Sequence, residues 1–521
     1  MKDPLILTID FGTQSVRAAL FNKKGETVDI KKVQYDPAYK SPKPGYAEQD
    51  PYYFIEVLSE ATNALVKDNK GRMEDVLGIT MSFFRDSPVM LDKDNKPIRD
   101  AIIWLDERRA DAKEPLGFFK TAVFKLVGMG PTIELNRKRT MSHWLKENEP
   151  ENWKKMDKYM NLSTFVTLEL LGDYVDSPAS QAGHIPINFK KGQWYKDGAL
   201  KNVYGVPNKA LCKLIPVGEV MGTITEEASK KTGLPMGLKM FACGSDKSAE
   251  TLGLGVLRKD IAAVSYGTAS TIELTIKKYS DAEPFLPSYP AVIPGYYNME
   301  VQVYRGYWML NWFAREFGSK TTVERQIETT EVLKSLDEEM TKIEPGCNGL
   351  ILQPYWCAGL RRPLAKGAII GFSDVHTHVH LYRAIIEGIA YALREGLELF
   401  EKKRTHTKVK MIRIAGGGSR SDAICQITAD IFGIPVSRIQ TNECSSLGAA
   451  ISGFLAAKEF NTPEEAVEAM VHQSDVFEPN EENHKKYDYL FKKVYLKMYP
   501  NLKNCNKDLK YYDKLIENGK L

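Results

Sequence analysis

A six-residue phrase suited to gripping phosphate occurs twice in this chain. Asp10-Phe11-Gly12-Thr13-Gln14-Ser15 closes the first apolar run, and Ser265-Tyr266-Gly267-Thr268-Ala269-Ser270 closes another, Ile261 to Val264. Each sets Gly-Thr after an aromatic residue and leads into a further strand-like run, Val16 to Phe21 and Thr271 to Ile276. Strand, glycine bend, strand predicts a hairpin whose backbone a ligand can approach closely. Successive backbone N–H groups beside Thr and Ser hydroxyls make an anion-binding concavity. The copies stand about half the chain apart, which suggests a duplicated domain. Two unrelated Gly-Thr turns would give the same pattern.

Gly416-Gly417-Gly418-Ser419 joins a strand, Met411 to Ala415, to a helix starting near Ser421-Asp422. Bare backbone at a helix start admits a nucleotide, although a tight turn also uses glycine. The spacing is neither that of a Walker A loop nor that of a dinucleotide-binding turn. Asp246 follows the strand Met240 to Cys243. A carboxylate there can accept the proton of an attacking hydroxyl in phosphoryl transfer, or Ser245-Asp246 can simply cap the helix Lys247 to Leu252. Asp10 can hold Mg²⁺ through water beside phosphates, or end a strand as a turn carboxylate. Arg85-Asp86 interrupts an apolar region, where charges are costly unless paired or facing a ligand. An internal salt bridge and a substrate contact both satisfy that condition. Trp104 with Asp106 and Arg108 offers an aromatic plate and hydrogen-bonding groups to a polyhydroxylated ligand, and core packing accounts for Trp104 equally well. His376, His378 and His380 straddle a helix start, and no cysteine or carboxylate completes a metal set.

Alternating strand-like and helix-like runs position these residues. Asp50-Pro51 predicts an N-cap and a proline at the first helical position. Leu77 to Met81, Pro88 to Leu91 and 101–104 read as strands, and His380 to Phe400 as an amphipathic helix. Residues 280–297 read as a structured proline loop, and the lysine-rich end from His484 as a solvated helical tail. At 521 residues the chain exceeds one ordinary core, and two halves of alternating strands and helices argue α/β architecture. Net charge is +4 from 71 basic and 67 acidic residues, with no basic stripe, so no nucleic-acid partner is expected. The seven cysteines are scattered without CxxC, which indicates neither a disulfide framework nor a zinc knuckle. Leu5 to Ile9 is too short for a signal segment, and no run suits a bilayer, so a cytoplasmic home is expected. A symmetric dimer is the default assembly.

Several phrases in order resemble the FGGY carbohydrate kinases, of the hexokinase–actin ATPase superfamily. They are Ile9 to Thr13, Tyr46 to Pro51, Trp104 to Arg108, Gly244-Ser245-Asp246, Ser265 to Thr268, Gly367 to Gly371, His380 to Glu387, Ile414 to Ser419 and Ser446 to Ala450. The resemblance implies two ribonuclease-H-like domains with mixed central sheets flanked by helices and a cleft between them. It divides the chain into 1–255, binding the sugar, 256–480, binding the nucleotide, and a C-terminal helical tail, 481–521. It further implies ATP and Mg²⁺, with Asp246 as general base and Asp10 near the metal. Asp10, Gly12 and Thr13 match the first phosphate element, with Gln14 beside them a further cofactor-binding candidate, Gly267 and Thr268 match the second, and Gly416, Gly417 and Gly418 match the adenosine site. Arg85, Asp86, Trp104, Asp246 and Lys247 are the expected sugar residues. Arg85-Asp86 resembles the Arg-Glu pair of glycerol kinases, whereas Trp144 to Glu151 and Asp176 to Gly183 look more like xylulose and related ketose kinases. The Gln-Met-His-Gly phrase of the ketose enzymes is absent. A xylulose-type ketose is the favoured acceptor, a glycerol-like polyol the alternative, and a non-catalytic nucleotide-binding protein of the actin superfamily the rival from another class.

Overall fold

Continuous apolar runs at the start of the chain form strands buried on both faces. The computed structural model describes residues 3–282, 286–317, 329–357, 359 and 362–517. Six strands make the first main sheet: β1 (Leu5–Phe11), β2 (Ser15–Asn22), β3 (Thr27–Gln34), β4 (Val76–Phe83), β5 (Val220–Thr223) and β6 (Lys239–Ser245). Their order is β5-β6-β4-β1-β2-β3. β1 pairs antiparallel with β2 and parallel with β4, and β4 pairs parallel with β6.

The second main sheet repeats that scheme. Its strands are β7 (Ile261–Tyr266), β8 (Ser270–Ile276), β9 (Tyr289–Pro290), β10 (Tyr297–Val303), β11 (Met411–Ala415), β12 (Val436–Ile439) and β13 (Gln473–Phe477). They lie in the order β9-β10-β8-β7-β11-β12-β13. β7 again pairs antiparallel with the strand after its bend and parallel with a later one. An antiparallel edge strand closes each parallel end, β5 on β6 and β13 on β12. The Gly-Thr phrases therefore occupy equivalent bends of a duplicated α/β unit.

Local signals set the helices around the sheets. α1 (Pro51–Asp68) begins where the Asp50 carboxylate accepts from the Tyr52 amide at 2.9 Å. α2 (Asp246–Gly253) leaves the end of β6, with the Ser245 hydroxyl accepting from the Ser248 amide. α3 (His378–Phe400) is buried along most of its length, and α4 (Asp422–Phe432) follows the triple glycine. α5 (Cys444–Ala456) crosses α2, and their closest approach uses two glycines. A Cβ on Gly253 would lie 1.9 Å from the Cys444 carbonyl oxygen, and one on Gly448 1.8 Å from that of Ala249.

Three expectations need correction. The run 101–104 pairs as a strand only over Ala101–Ile102, because Trp104 turns toward the first bend. Within 280–297, residues 283–285 lie outside the described residues, and Tyr289–Pro290 is a sheet edge rather than loop. The C-terminal segment is helical over Glu481–Leu490 and Leu496–Glu517 but is not simply solvated. Tyr487, Phe491 and Tyr495 recur on one face and are buried against the second core. Periodic aromatics outweigh the surrounding lysines, which stay on the wet side.

Candidate active site

Both hairpin bends, the triple-glycine turn and the start of α2 open onto one cleft of about 1290 Å³. Gly12, Thr13, Gln14, Arg85, Asp86, Trp104, Asp246, Lys247, Gly267, Thr268, Gly416, Gly417 and Gly418 all line it. Asp10 does not; it lies buried behind the first bend.

The glycines serve different ends. Neither Gly12 nor Gly267 has a left-handed backbone, and a Cβ on Gly267 would come within 3.3 Å of the Ala269 carbonyl oxygen. Glycine there keeps the bend bare rather than relieving strain. The Trp104 indole donates to Thr13 Oγ1 at 3.2 Å, so the tryptophan is tied to the first bend. In the triple-glycine turn, Gly416 has φ +85° and packs on the backbone of Tyr266, where a Cβ would sit 2.6 Å away. A Cβ on Gly418 would strike the Tyr307 ring at 2.3 Å. Only at Gly417 does a Cβ meet nothing within 4 Å. Packing thus explains two glycines, and the middle one alone offers unobstructed backbone.

Asp246 is the first residue of α2, and Ser245, not Asp246, caps that helix. The aspartate is left available for other work. Its Oδ1 accepts from the Lys247 amide at 2.7 Å. Burial pushes its carboxyl up to about 6, against the pull of Lys247 and Arg85 and with added repulsion from Asp10 and Glu250. A carboxylate of that basicity can accept a hydroxyl proton near neutrality. The Lys247 ammonium turns from Asp246 to Glu250 Oε1, at 2.8 Å, and Ser265 Oγ, at 2.7 Å.

The pair Arg85-Asp86 divides its partners between the second main sheet and a loop of the first half. Arg85 Nη1 and Nη2 donate to the two oxygens of Glu300, on β10, at 2.8 and 3.1 Å. Its guanidinium also lies over the Tyr289 ring, 5.2 Å from the centroid. Asp86 takes a left-handed backbone, φ 59°, that its neighbours hold in place. Its carboxylate accepts from the His184 amide at 2.8 Å and contacts His184 Nδ1 at 2.5 Å. Burial works to raise the Asp86 carboxyl, but His184 outweighs it and holds it below its usual range. Gly183 is required beside this pair, since a Cβ would fall 2.5 Å from Asp86 Oδ1.

Sequence reasoning missed Arg17, His184, Glu273, Tyr289 and Glu300. One of them carried a signal: Glu273 stands inside the buried strand Ser270–Ile276, as Arg85-Asp86 stands between apolar runs. His184 carried none, because only the tertiary fold sets it beside Asp86. Glu273 is pushed up to about 8, first by burial and then by Glu300. At Glu300 burial acts in the same sense, but Arg85 holds that carboxyl below its usual range.

Asp10 accepts from Ser82 Oγ at 2.6 Å and from Arg17 Nη1 at 3.2 Å. Burial raises its pKa, opposed chiefly by Arg17, while Glu443 and Glu250 add negative charge nearby. Among the described residues no three His, Cys, Asp or Glu side chains converge as a metal set. Asp10, a hard oxygen donor with acidic neighbours behind the first bend, is the kind of carboxylate that holds Mg²⁺ through water while substrate phosphates supply further oxygens.

Comparison with known proteins bears on the whole chain. Residues 5–253 match the N-terminal domain, and residues 262–457 the C-terminal domain, of the FGGY family of carbohydrate kinases. A xylulose kinase of Lactococcus lactis subsp. lactis (strain IL1403) is 28% identical over 515 residues, which is 97% of this chain and 98% of that protein. The crystal structure of ligand-bound xylulose kinase from Lactobacillus acidophilus aligns with TM-score 0.80 at 22% identity, over 97% of this chain and 100% of the other. Gluconate kinase from the same organism aligns with TM-score 0.79 at 22% identity, over 96% and 98% of the two chains.

Proposed function

Because the chain belongs to the FGGY family of carbohydrate kinases, and so is an ATP-dependent sugar kinase, we propose that its acceptor is a small ketose of the xylulose type and that Asp246 is its base. The observation that carries this reading is the position of Asp246, at the mouth of α2 in the same cleft as all three glycine elements. Asp246 takes the proton of the acceptor hydroxyl as that oxygen bonds to the γ-phosphorus and the bond to the ADP oxygen breaks. The Gly12 amide closes the first bend on the Ser15 carbonyl at 3.0 Å, and the backbone amides of Thr13 and Gln14 and of Gly267-Thr268 hold the phosphates from opposite sides, with Gly416, Gly417 and Gly418 bordering the adenosine. Asp10 would hold Mg²⁺ through water, and the ion would supply positive charge to the phosphates.

Residues 1–255 contribute most sugar contacts in this reading, residues 256–480 most nucleotide contacts, and the tail 481–521 braces the latter. Arg85, Asp86 and Trp104 face the sugar. Lys247 has two of its three donors engaged by Glu250 and Ser265 and keeps one for a sugar oxygen. No helix of the described residues is long and apolar enough to cross a membrane, and we place the enzyme in the cytoplasm, where ATP is made.

Two experiments test the proposal. Asp246→Asn should lose sugar-dependent ADP release by at least about a thousandfold while binding MgATP nearly as before. Normal turnover in that variant would remove Asp246 from its role. A screen of ketoses, polyols and sugar acids should give its highest kcat/KM with a five-carbon ketose. A preference for glycerol would replace the xylulose reading with the polyol one.

A further inference from the structure

Glu273 and Glu300 face each other directly across β8 and β10. Like charges at a cross-strand position repel, and Glu273 is only 1% exposed. Tyr289 Oη stands 2.8 Å from Glu273 Oε2 and 2.8 Å from Glu300 Oε2. A phenol carries one proton and can donate to only one of these oxygens. Were both glutamates ionised, the other contact would set two lone pairs against each other in a buried site. Thr251 does not fill the gap, because its single proton is shared between the Lys247 carbonyl, at 2.9 Å, and Glu273, at 2.7 Å. The count closes when Glu273 is a carboxylic acid. It then donates to Tyr289, Tyr289 donates to Glu300, and Glu300 stays a carboxylate for Arg85.

We propose that Glu273 is a protonation switch for sugar binding: as an acid it lets Tyr289 and Glu300 position Arg85 in the cleft wall, and as a carboxylate it draws Arg85 away. The groups facing it are Glu300 from β10, Tyr289 from β9, Thr251 from α2, Thr271 beside it on β8, and the cations Arg85 and Lys247. Lys247 is already matched by Glu250, and Arg85 by Glu300, so neither is free to neutralise a second buried carboxylate. Ionisation of Glu273 therefore sets two acids against one arginine that is shared between the sheets. The proposal rests on the reading of Arg85 as a sugar contact, and Glu273, Tyr289 and Glu300 act through Arg85 without touching the sugar.

The test is the pH dependence of initial rates with D-xylulose, or with whichever acceptor the screen selects. In the wild-type chain KM for the sugar should rise roughly fivefold to tenfold from about pH 7 to about pH 9, while KM for ATP moves less than about twofold. In Glu273→Gln, which cannot ionise, KM for the sugar should stay at its neutral-pH level throughout. An equal alkaline rise in Glu273→Gln, or a parallel rise in KM for ATP, overturns the switch. A thermal measurement separates this from a wrong reading of Arg85. Glu273 holds its proton in the fold well above its ordinary 4.5, so that stabilisation is lost as pH rises from there to about 8, and Glu273→Gln should gain midpoint over wild type between about pH 5 and about pH 8 and hold the gain above. If that gap widens but Arg85→Ala leaves KM for the sugar unchanged, the proton stays on Glu273 and its effect on sugar binding is refuted. A constant gap refutes the proton itself. Should Glu273→Gln fail to fold, the wild-type chain still decides: its infrared difference spectrum between about pH 7 and about pH 9 must lose a neutral carboxylic-acid band, and an unchanged band rejects the proposal.

Discussion

Asp246 must be ionised to accept a proton, yet the cleft makes its charged form costly. That tension predicts an acidic limb in the rate profile. Because burial pushes the carboxyl up to about 6, kcat/KM for the sugar should fall about tenfold per unit below that point and level off above it. A limb near pH 4 would mean that some other group, or an unperturbed carboxyl, is being titrated. The same shift has a consequence for stability. A carboxyl whose folded pKa exceeds its ordinary 3.8 binds its proton more tightly in the native chain. Its ionisation therefore costs the fold nothing below about pH 4 and the full amount above about pH 6. Asp246→Asn should melt higher than wild type at pH 7.5, on the order of one or two degrees, and no higher at pH 4. Scanning calorimetry at the two pH values checks the sign. Arg85 offsets that burial only in part, since its Nη1 and Nη2 each donate to Glu300.

At the scale of elements, the glycines give paired predictions because their surroundings differ. Gly417→Ala adds a methyl group where nothing lies within 4 Å, so stability should hold while KM for ATP rises several-fold. Gly448→Ala forces α5 off α2, since its Cβ would fall 1.8 Å from the Ala249 carbonyl oxygen. Overpacking of that kind costs about 1–3 kcal/mol, read as a lower denaturation midpoint. Unchanged ATP kinetics in Gly417→Ala would exclude that backbone from nucleotide contact. These elements were largely legible in the sequence. Strand Met411–Ala415 lies where its apolar run predicts, α1 starts at its Asp-Pro signal, and both Gly-Thr bends sit between paired strands. What was not legible is lateral. No local pattern says that Glu273 lies opposite Glu300, that Arg85 reaches across to the second sheet, or that His184 closes on Asp86. Such contacts depend on strand register and on chain segments far apart, and a charged residue inside an apolar run announces only that some partner exists.

For the whole molecule, the C-terminal helix is the part whose composition and placement disagree most, and it bears on the nucleotide half. Tyr487 accepts from Arg383 Nη2 at 2.8 Å and donates to Glu387 Oε1 at 2.7 Å, closing a buried network on α3. Arg394 pairs with Asp488, and its guanidinium lies over Phe491, 4.2 Å from the ring centroid. Just ahead of the helix and in its first turn, Asn480 and Asn483 both donate to the Asp430 carboxylate, and His484 Nδ1 contacts the Asp430 carbonyl oxygen at 2.8 Å. Asp430 lies on α4, the helix that the triple-glycine turn leads into. Removing residues 481–521 would strip Tyr487 from Arg383 and expose the apolar face of α3, a loss of several kcal/mol from a buried charge and a core face together. The first sheet makes none of these contacts. A truncated chain should therefore melt in two steps, the second half first, and the surviving native fraction should show KM for ATP raised well beyond KM for the sugar. A single unshifted transition would mean that the helix merely rests on the surface. Equal losses for both substrates would mean that the two halves respond as one body, with the crossing of α2 and α5 transmitting the damage across the cleft.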